Sequence, residues 1–184
     1  MGLRERKKAR TRERLAEAAL ALFEARGFEA TTIDDIAAAA DVSRRTFFRY
    51  FPTKEDAAFP HSAARLERFE ALLSQAAGAE PWDRAREAFL ALAADFTAGR
   101  GELLRQNRVV AASPTLTAYE LQVDRAWEDR LAQALSRDVG GPDFEARVAA
   151  GAIIGAVRVA LRAWFDADAG TDLAALGRKA FALL

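Results

Sequence analysis

Between Thr31 and Lys54 the chain reads TTIDDIAAAADVSRRTFFRYFPTK, and this stretch leaves few folds open. Thr31 or Thr32 is a residue type that caps a helix, and Asp35 stands three positions after Thr32, where a capping box places its carboxylate. Ile33, Ile36, Ala37 and Ala40 then recur at helical spacing. Ala40-Asp41-Val42 makes a turn, since aspartate tolerates the left-handed region that such a turn needs. Ser43 caps a second short helix, which Phe51-Pro52 ends because the residue before a proline avoids helical geometry. The small residues from Ala37 to Ala40 stand where the two helices must cross closely. The second helix carries Arg44, Arg45 and Arg49 beside Phe47, Phe48 and Tyr50. Cations, a hydroxyl at Thr46 and an aromatic face suit a helix that enters a DNA major groove.

The rest of the chain keeps the helical period. Leu15, Ala18, Ala19, Leu22 and Phe23 predict a first helix over about 4–26, stopped by Gly27. Thr53 starts a fourth helix that Pro60 interrupts or kinks, and 62–77 continues with Leu66, Phe69, Leu72 and Leu73 on one face. Pro81 opens a helix to about Gly99, and a short one over 102–112 ends at Ser113-Pro114. Helices over 116–139, 143–167 and 172–184 follow, with Gly140-Gly141-Pro142 and Gly170 as breaks. The expected fold is all-α with about nine helices: a DNA-binding head over 1–54 and a larger helical domain over 55–184.

Net charge is zero, but it is divided. Residues 1–54 hold twelve Lys and Arg against eight Asp and Glu, while 55–184 hold fifteen against nineteen. Such a split is the footprint of a chain with one end on a polyanion. The densest run, residues 4–14, reads either as an arm reaching flanking phosphates or the minor groove, or as a solvated, salt-bridged helix. There is no cysteine, which removes disulfides, thiolate metal sites and thiol nucleophiles. The N-terminus lacks signal-peptide character, and the unbroken apolar run Val148–Val157 is too short to span a bilayer, so a cytoplasmic protein with no membrane partner is expected. The lone His61 has no motif around it, and no P-loop, HExxH or dinucleotide glycine turn occurs, so no enzyme is expected. The competing reading is a helical interaction module whose basic N-terminus binds a protein or membrane surface.

GFEATTIDDIAAAADVSRRTFFRYFPTKED resembles the N-terminal domain of the TetR-type family of bacterial transcriptional regulators, over about residues 10–56. The resemblance implies a three-helix DNA-binding head, a larger all-α regulatory domain, a homodimer on a palindromic DNA operator, and usually a repressor released by a small molecule. It implies DNA contacts from Thr32 and Ser43 at helix starts, from Arg44 and Arg45 to base edges, and from Thr46 and Phe48 to phosphate or thymine methyl. Arg49, Tyr50 and Lys54 are implied to face the DNA backbone, Lys54 at the N-terminus of the next helix. Phe47 and Phe51 pack inside. Arg26 reads as a C-terminal cap. Two departures stand out: Asp41 replaces a usual glycine, and Phe48 a common tyrosine.

The last two helices resemble the family's dimerisation pair. Phe144, Val148, Ile153 or Ile154, Val157, Leu161, Trp164 and Phe165 offer more apolar surface than one core face needs, and Gly151 with Gly155 permits close approach. Along the helices, Arg105, Asn107, Arg108, Tyr119, Glu120, Arg158 and Arg162 are candidate polar pocket groups, with Trp82, Phe89, Phe96, Trp127 and Trp164 as walls. Each also reads as an ordinary core or solvated residue. The layout is similar to the subgroup that includes the mycofactocin-system regulator, which implies no cofactor but a small-molecule effector of acyl-CoA-like type.

Overall fold

The structure, a computed structural model, describes residues 2–75, 80–136 and 143–184. Among the described residues it holds nine α-helices, one 3-10 turn and no strand. These are α1 (Leu3–Arg26), α2 (Ile33–Ala39), α3 (Arg44–Tyr50), the 3-10 turn Glu55–Ala58, α4 (Ser62–Gln75), α5 (Pro81–Ala98), α6 (Arg100–Ala111), α7 (Pro114–Leu135), α8 (Phe144–Asp166) and α9 (Leu173–Phe181). The all-α expectation holds. The expected helix ends at 76–77 and 137–139 and the Gly140-Gly141-Pro142 break lie outside the described residues.

The fourth helix differs from its expectation. Thr53 and Asp56 exchange backbone and side-chain hydrogen bonds as a capping box does, but only one 3-10 turn follows. Pro60 is not a kink within a helix; it separates that turn from α4. Its missing N–H and fixed φ favour a break over a continued hydrogen-bond ladder. Near the other end, the residues with positive φ after α8 are Asp168 and Ala169 rather than Gly170.

The chain forms two compact units. One comprises Met1–Ser62 with Arg105–Glu120, the other Ala63–Leu104 with Leu121–Leu184. The first unit thus includes residues 55–62 and part of α6 and α7 besides residues 1–54.

In the first unit α1 packs on α2 and on the 3-10 turn, and α2 packs on α3. Leu15, Ala19, Leu20, Phe23, Ile36, Ala37, Phe47 and Phe51 are all buried. Ile33, at the helix start, remains half-exposed. In the second unit α9 packs on both α5 and α8. Phe69, Phe89 and Trp127 make an aromatic nucleus, with ring centroids 4.3 Å apart for Phe69–Phe89 and 5.3 Å for Phe69–Trp127. Leu131, Ile153, Ile154 and Phe181 close around it. A fully buried side chain of this size contributes about 1.5–3 kcal/mol, so this cluster holds the unit's helices in register. α9 approaches α5 closely at Gly177, where a Cβ would lie 3.1 Å from Leu90 Cδ2.

α8 is long and apolar enough to cross a bilayer by length and composition, unlike the ten-residue run counted from sequence. One face of it instead supplies Ala150, Ile153, Ile154 and Trp164 to the core.

Candidate nucleic-acid interface and regulatory core

Local chemistry builds the head. Thr32 Oγ1 accepts from the Asp35 backbone N–H, and Asp35 accepts from both the Thr32 N–H and its hydroxyl, so the capping box is complete. These bonds, the Thr32 hydroxyl foremost, hold the Asp35 carboxyl below its ordinary pKa, and Arg26 lies 3.5 Å away. Asp41 adopts φ 52°, the left-handed turn expected of it. Ser43 caps α3 by accepting from the Thr46 N–H, and the two hydroxyls lie 2.9 Å apart.

α3 then divides its residues. Phe47 is completely buried, as is Phe51 just beyond the helix. Arg44, Arg45, Phe48 and Arg49 are exposed, while Thr46 and Tyr50 are half-buried. Arg44 pairs with Asp34 at 2.8 Å, and its guanidinium lies 5.6 Å from the Phe48 ring centroid. Arg49 lies 5.2 Å over Tyr50. The result is a capped helix, anchored through Phe47, with a cationic, partly aromatic outer face.

Two expected phosphate contacts have internal work in this structure. The Lys54 ammonium donates to the Phe28 and Thr31 carbonyls at 2.8 and 2.9 Å and sits 3.9 Å over the Phe28 ring. The element that follows it is a four-residue 3-10 turn rather than the expected helix, and so offers little helix dipole to a phosphate. The Thr32 hydroxyl is likewise engaged with Asp35.

Sequence reasoning missed two positions. Arg12 donates to the Tyr50 carbonyl at the end of α3 (2.8 Å) and to the Pro60 carbonyl (2.9 Å), with its guanidinium 4.6 Å over Phe51. Arg14 donates to the Ala40 carbonyl at the end of α2 and lies near Asp41. Both cations thus satisfy the last carbonyls of the two short helices, where a positive charge also complements the helix dipole. Counting charge could not separate them from Arg4, Arg6, Lys7, Lys8 and Arg10, which are exposed on the first turns of α1.

The candidate effector residues are divided between the two units. Arg105 is bound to α1, donating to Glu24 at 2.8 and 3.0 Å and to Glu17 at 3.0 and 3.1 Å. Those bonds hold its pKa above the ordinary arginine value. Tyr119 donates to Asp56 at 2.7 Å and stacks obliquely on Phe59; burial, then this carboxylate, pushes its phenol pKa up. Both belong to the head unit. Arg108 and Arg162 are exposed. Glu120 and Asn107 are at the head side of the division.

In the second unit Phe89 and Trp127 belong to the aromatic nucleus, with Trp82 against it. Phe96 packs on a separate cluster around Trp164, and Arg65 lies 5.0 Å over its ring. Burial lowers the Arg65 pKa, against the opposing charge of Glu102. Trp164 is completely buried and its indole donates to the Thr171 carbonyl at 3.1 Å, so it is core rather than outward surface. Arg158 lies 3.7 Å from Asp124, whose pKa burial raises and Arg158 opposes. An open cleft of about 330 Å³ is lined by Glu70, Leu73, Ser74, Pro81, Arg84, Arg130, Gln133 and Ala134, none of them among the candidate pocket residues of the sequence.

The outward apolar face of α8 is made by Phe144, Val148 and Val159, which are 76%, 54% and 64% exposed. Ile153 and Ile154 point inward instead. Within the chain, a Cβ at Gly155 would meet nothing within 4 Å and one at Gly151 only the Glu128 carboxylate at 3.6 Å. The glycine pair therefore serves no close helix crossing among the described residues.

Residues 15–56 match the family described as bacterial regulatory proteins, tetR family, and residues 79–184 match the MftR C-terminal domain. The chain is 37% identical to the HTH-type transcriptional regulator TcmR of Streptomyces glaucescens, covering 95% of this chain and 81% of that protein. It is 29% identical to a protein of Mycobacterium tuberculosis named as mycofactocin biosynthesis transcriptional regulator MftR, covering 94% of this chain and 88% of that one. Among solved structures, FadR from Bacillus subtilis in complex with stearoyl-CoA shares the fold, with TM-score 0.64 and 18% identity over 93% of this chain and 96% of that one. With its helix-turn-helix head and all-helical second unit, the chain belongs to the TetR family of transcriptional regulators and carries an MftR-type C-terminal domain.

Proposed function

We propose that this DNA-binding regulator is a homodimeric repressor that sits on a palindromic operator and leaves it when a small molecule binds. The observation that carries the reading is α3: Arg45 and Arg49 stand exposed on a helix whose opposite side, at Phe47, is locked into the core. A rigid helix with cations on one face and anchorage on the other suits a major groove. Arg44 and Arg45 would reach base edges, with Ser43, Thr46, Phe48, Arg49 and Tyr50 placed for backbone or methyl contacts. Thr32 and Lys54 would act by shaping the head. The exposed apolar face of α8 favours a two-fold contact with a second copy, which would set two α3 helices in successive major grooves roughly 34–36 Å apart.

The effector is of small-molecule class, and an acyl-CoA-like compound is the finer reading. The apolar, aromatic interior of the second unit supports it, as does the stearoyl-CoA held by a regulator of the same fold. Release requires that the effector bind one head arrangement better than the other, since only differential affinity moves the equilibrium. The work is expected to take place in the cytoplasm, without membrane or catalysis. The test compares a duplex selected from a random library with its scrambled counterpart across salt. Specific binding should exceed the scrambled control by at least about a thousandfold. Equal binding to both would refute the reading. Native mass spectrometry of the purified protein identifies a retained effector, and an effector that leaves operator affinity unchanged would refute the release mechanism.

A further inference from the structure

Arg44 and Arg45 are neighbours in sequence but differ in state. Arg45 is exposed and has no ion-pair partner among the described residues, whereas Arg44 is held from two sides. Its Nη1 donates to Asp34 Oδ2 at 2.8 Å, across from α2, and its guanidinium lies 5.6 Å from the ring of Phe48, one turn further along α3. The pair is exposed on both sides, 58% for Arg44 and 66% for Asp34, so it contributes little to stability. What it does contribute is orientation. Only Nη1 has a partner among the described residues, so the Nε–Nη2 edge of the fork is left for a ligand. That edge, held in place, suits the paired acceptors O6 and N7 of guanine.

We propose that Asp34 is a positioning residue for base selection: it fixes Arg44 to read one guanine in each half-site, and its own charge discourages binding to arbitrary backbone. This rests on the DNA-binding reading and assigns the division of labour within it. Arg44 selects, prepositioned at low entropic cost, because an ordered side chain loses less freedom on binding. Arg45 and Arg49 keep their charges free for the duplex.

The test uses the full-length protein and a duplex selected from a random library by the wild type, with single-base variants and a scrambled control. Asp34→Asn is nearly isosteric and removes the ion pair. It should lose about five- to tenfold of the preference for guanine at one symmetric position while preferences elsewhere stay within twofold. Affinity for scrambled duplex should rise severalfold, because a negative charge near phosphates is gone. In the Arg44→Ala background, Asp34→Asn should no longer change base preference. The guanine preference does not move if Asp34 only supports the start of α2, and a melting curve checks folding of each variant. Retained guanine preference in Asp34→Asn, or a base effect that persists without Arg44, overturns the assignment while the DNA reading stands. A wild type that selects no sequence overturns both.

Discussion

Replacing Lys54 by Met separates two roles that predict different numbers. In this structure the ammonium donates to the Phe28 and Thr31 carbonyls and covers the Phe28 ring. Hydrogen bonds to charged groups contribute about 1.5–3 kcal/mol each, and a cation over an aromatic ring about 0.5–2 kcal/mol. The loss is less than that sum. The Phe28 carbonyl keeps the Thr31 N–H at 3.2 Å, so only the Thr31 carbonyl is left needing a partner, and the Met side chain keeps the stem's packing. We expect a destabilisation of about 2–3 kcal/mol, or a melting midpoint lower by about 5–10 °C for a protein of this size. The assay is thermal unfolding by circular dichroism, alongside operator affinity measured against salt. If Lys54 instead served a phosphate, stability would hold and the log–log salt slope would fall by about 0.9 per protomer. A midpoint within about 1 °C of the wild type, with the shallower slope, would refute the internal role.

Arg12→Ala removes two bonds to backbone carbonyls and should cost about 2–4 kcal/mol by urea unfolding, with Arg12→Lys recovering part; a change under about 0.5 kcal/mol would count against the clamp. Arg105→Ala should lower stability by about 1 kcal/mol, because its carboxylate network is partly exposed, and leave effector affinity by calorimetry unchanged; a large loss of affinity would return Arg105 to the pocket. Phe48→Tyr should tighten operator binding about threefold to tenfold by adding one phosphate hydrogen bond, with the melting point unmoved. The carboxyls of Glu29 and Asp35 lie below their ordinary pKa values through hydroxyl hydrogen bonds from Ser113 and Thr32. Their stabilisation is therefore full above about pH 4.5 and is lost as pH falls through the depressed values. Asp35→Asn and Glu29→Gln should each flatten the acid side of a stability–pH curve, and an unchanged curve would argue against both bonds.

Local features of the head were legible because they depend on neighbours in sequence. The capping box at Thr32, the left-handed Asp41, the Ser43 cap and the stop at Phe51-Pro52 each follow from bonds or dihedrals within four residues. The burial of Phe47 and Phe51 was implied by the family resemblance. Partners far apart in the chain were not legible. Arg105 reads as a pocket cation until Glu17 and Glu24, more than eighty residues away, are found against it. Ile153, Ile154 and Trp164 read as surplus apolar surface until α9 and its flanking loop are seen to cover them.

The amino-acid sequence by itself determined that this is an all-helical chain with a helix-turn-helix head, since caps, breakers and period act locally and the family pattern is dense between Gly27 and Asp56. Tertiary structure alone decided which cations remain available. Arg12, Arg14, Lys54 and Arg105 are engaged by carbonyls and carboxylates of the same chain, while Arg45 is exposed and has no such bond among the described residues. The physical reason is that a charge is the same letter wherever it stands, and only the fold supplies the partner that takes it out of solvent.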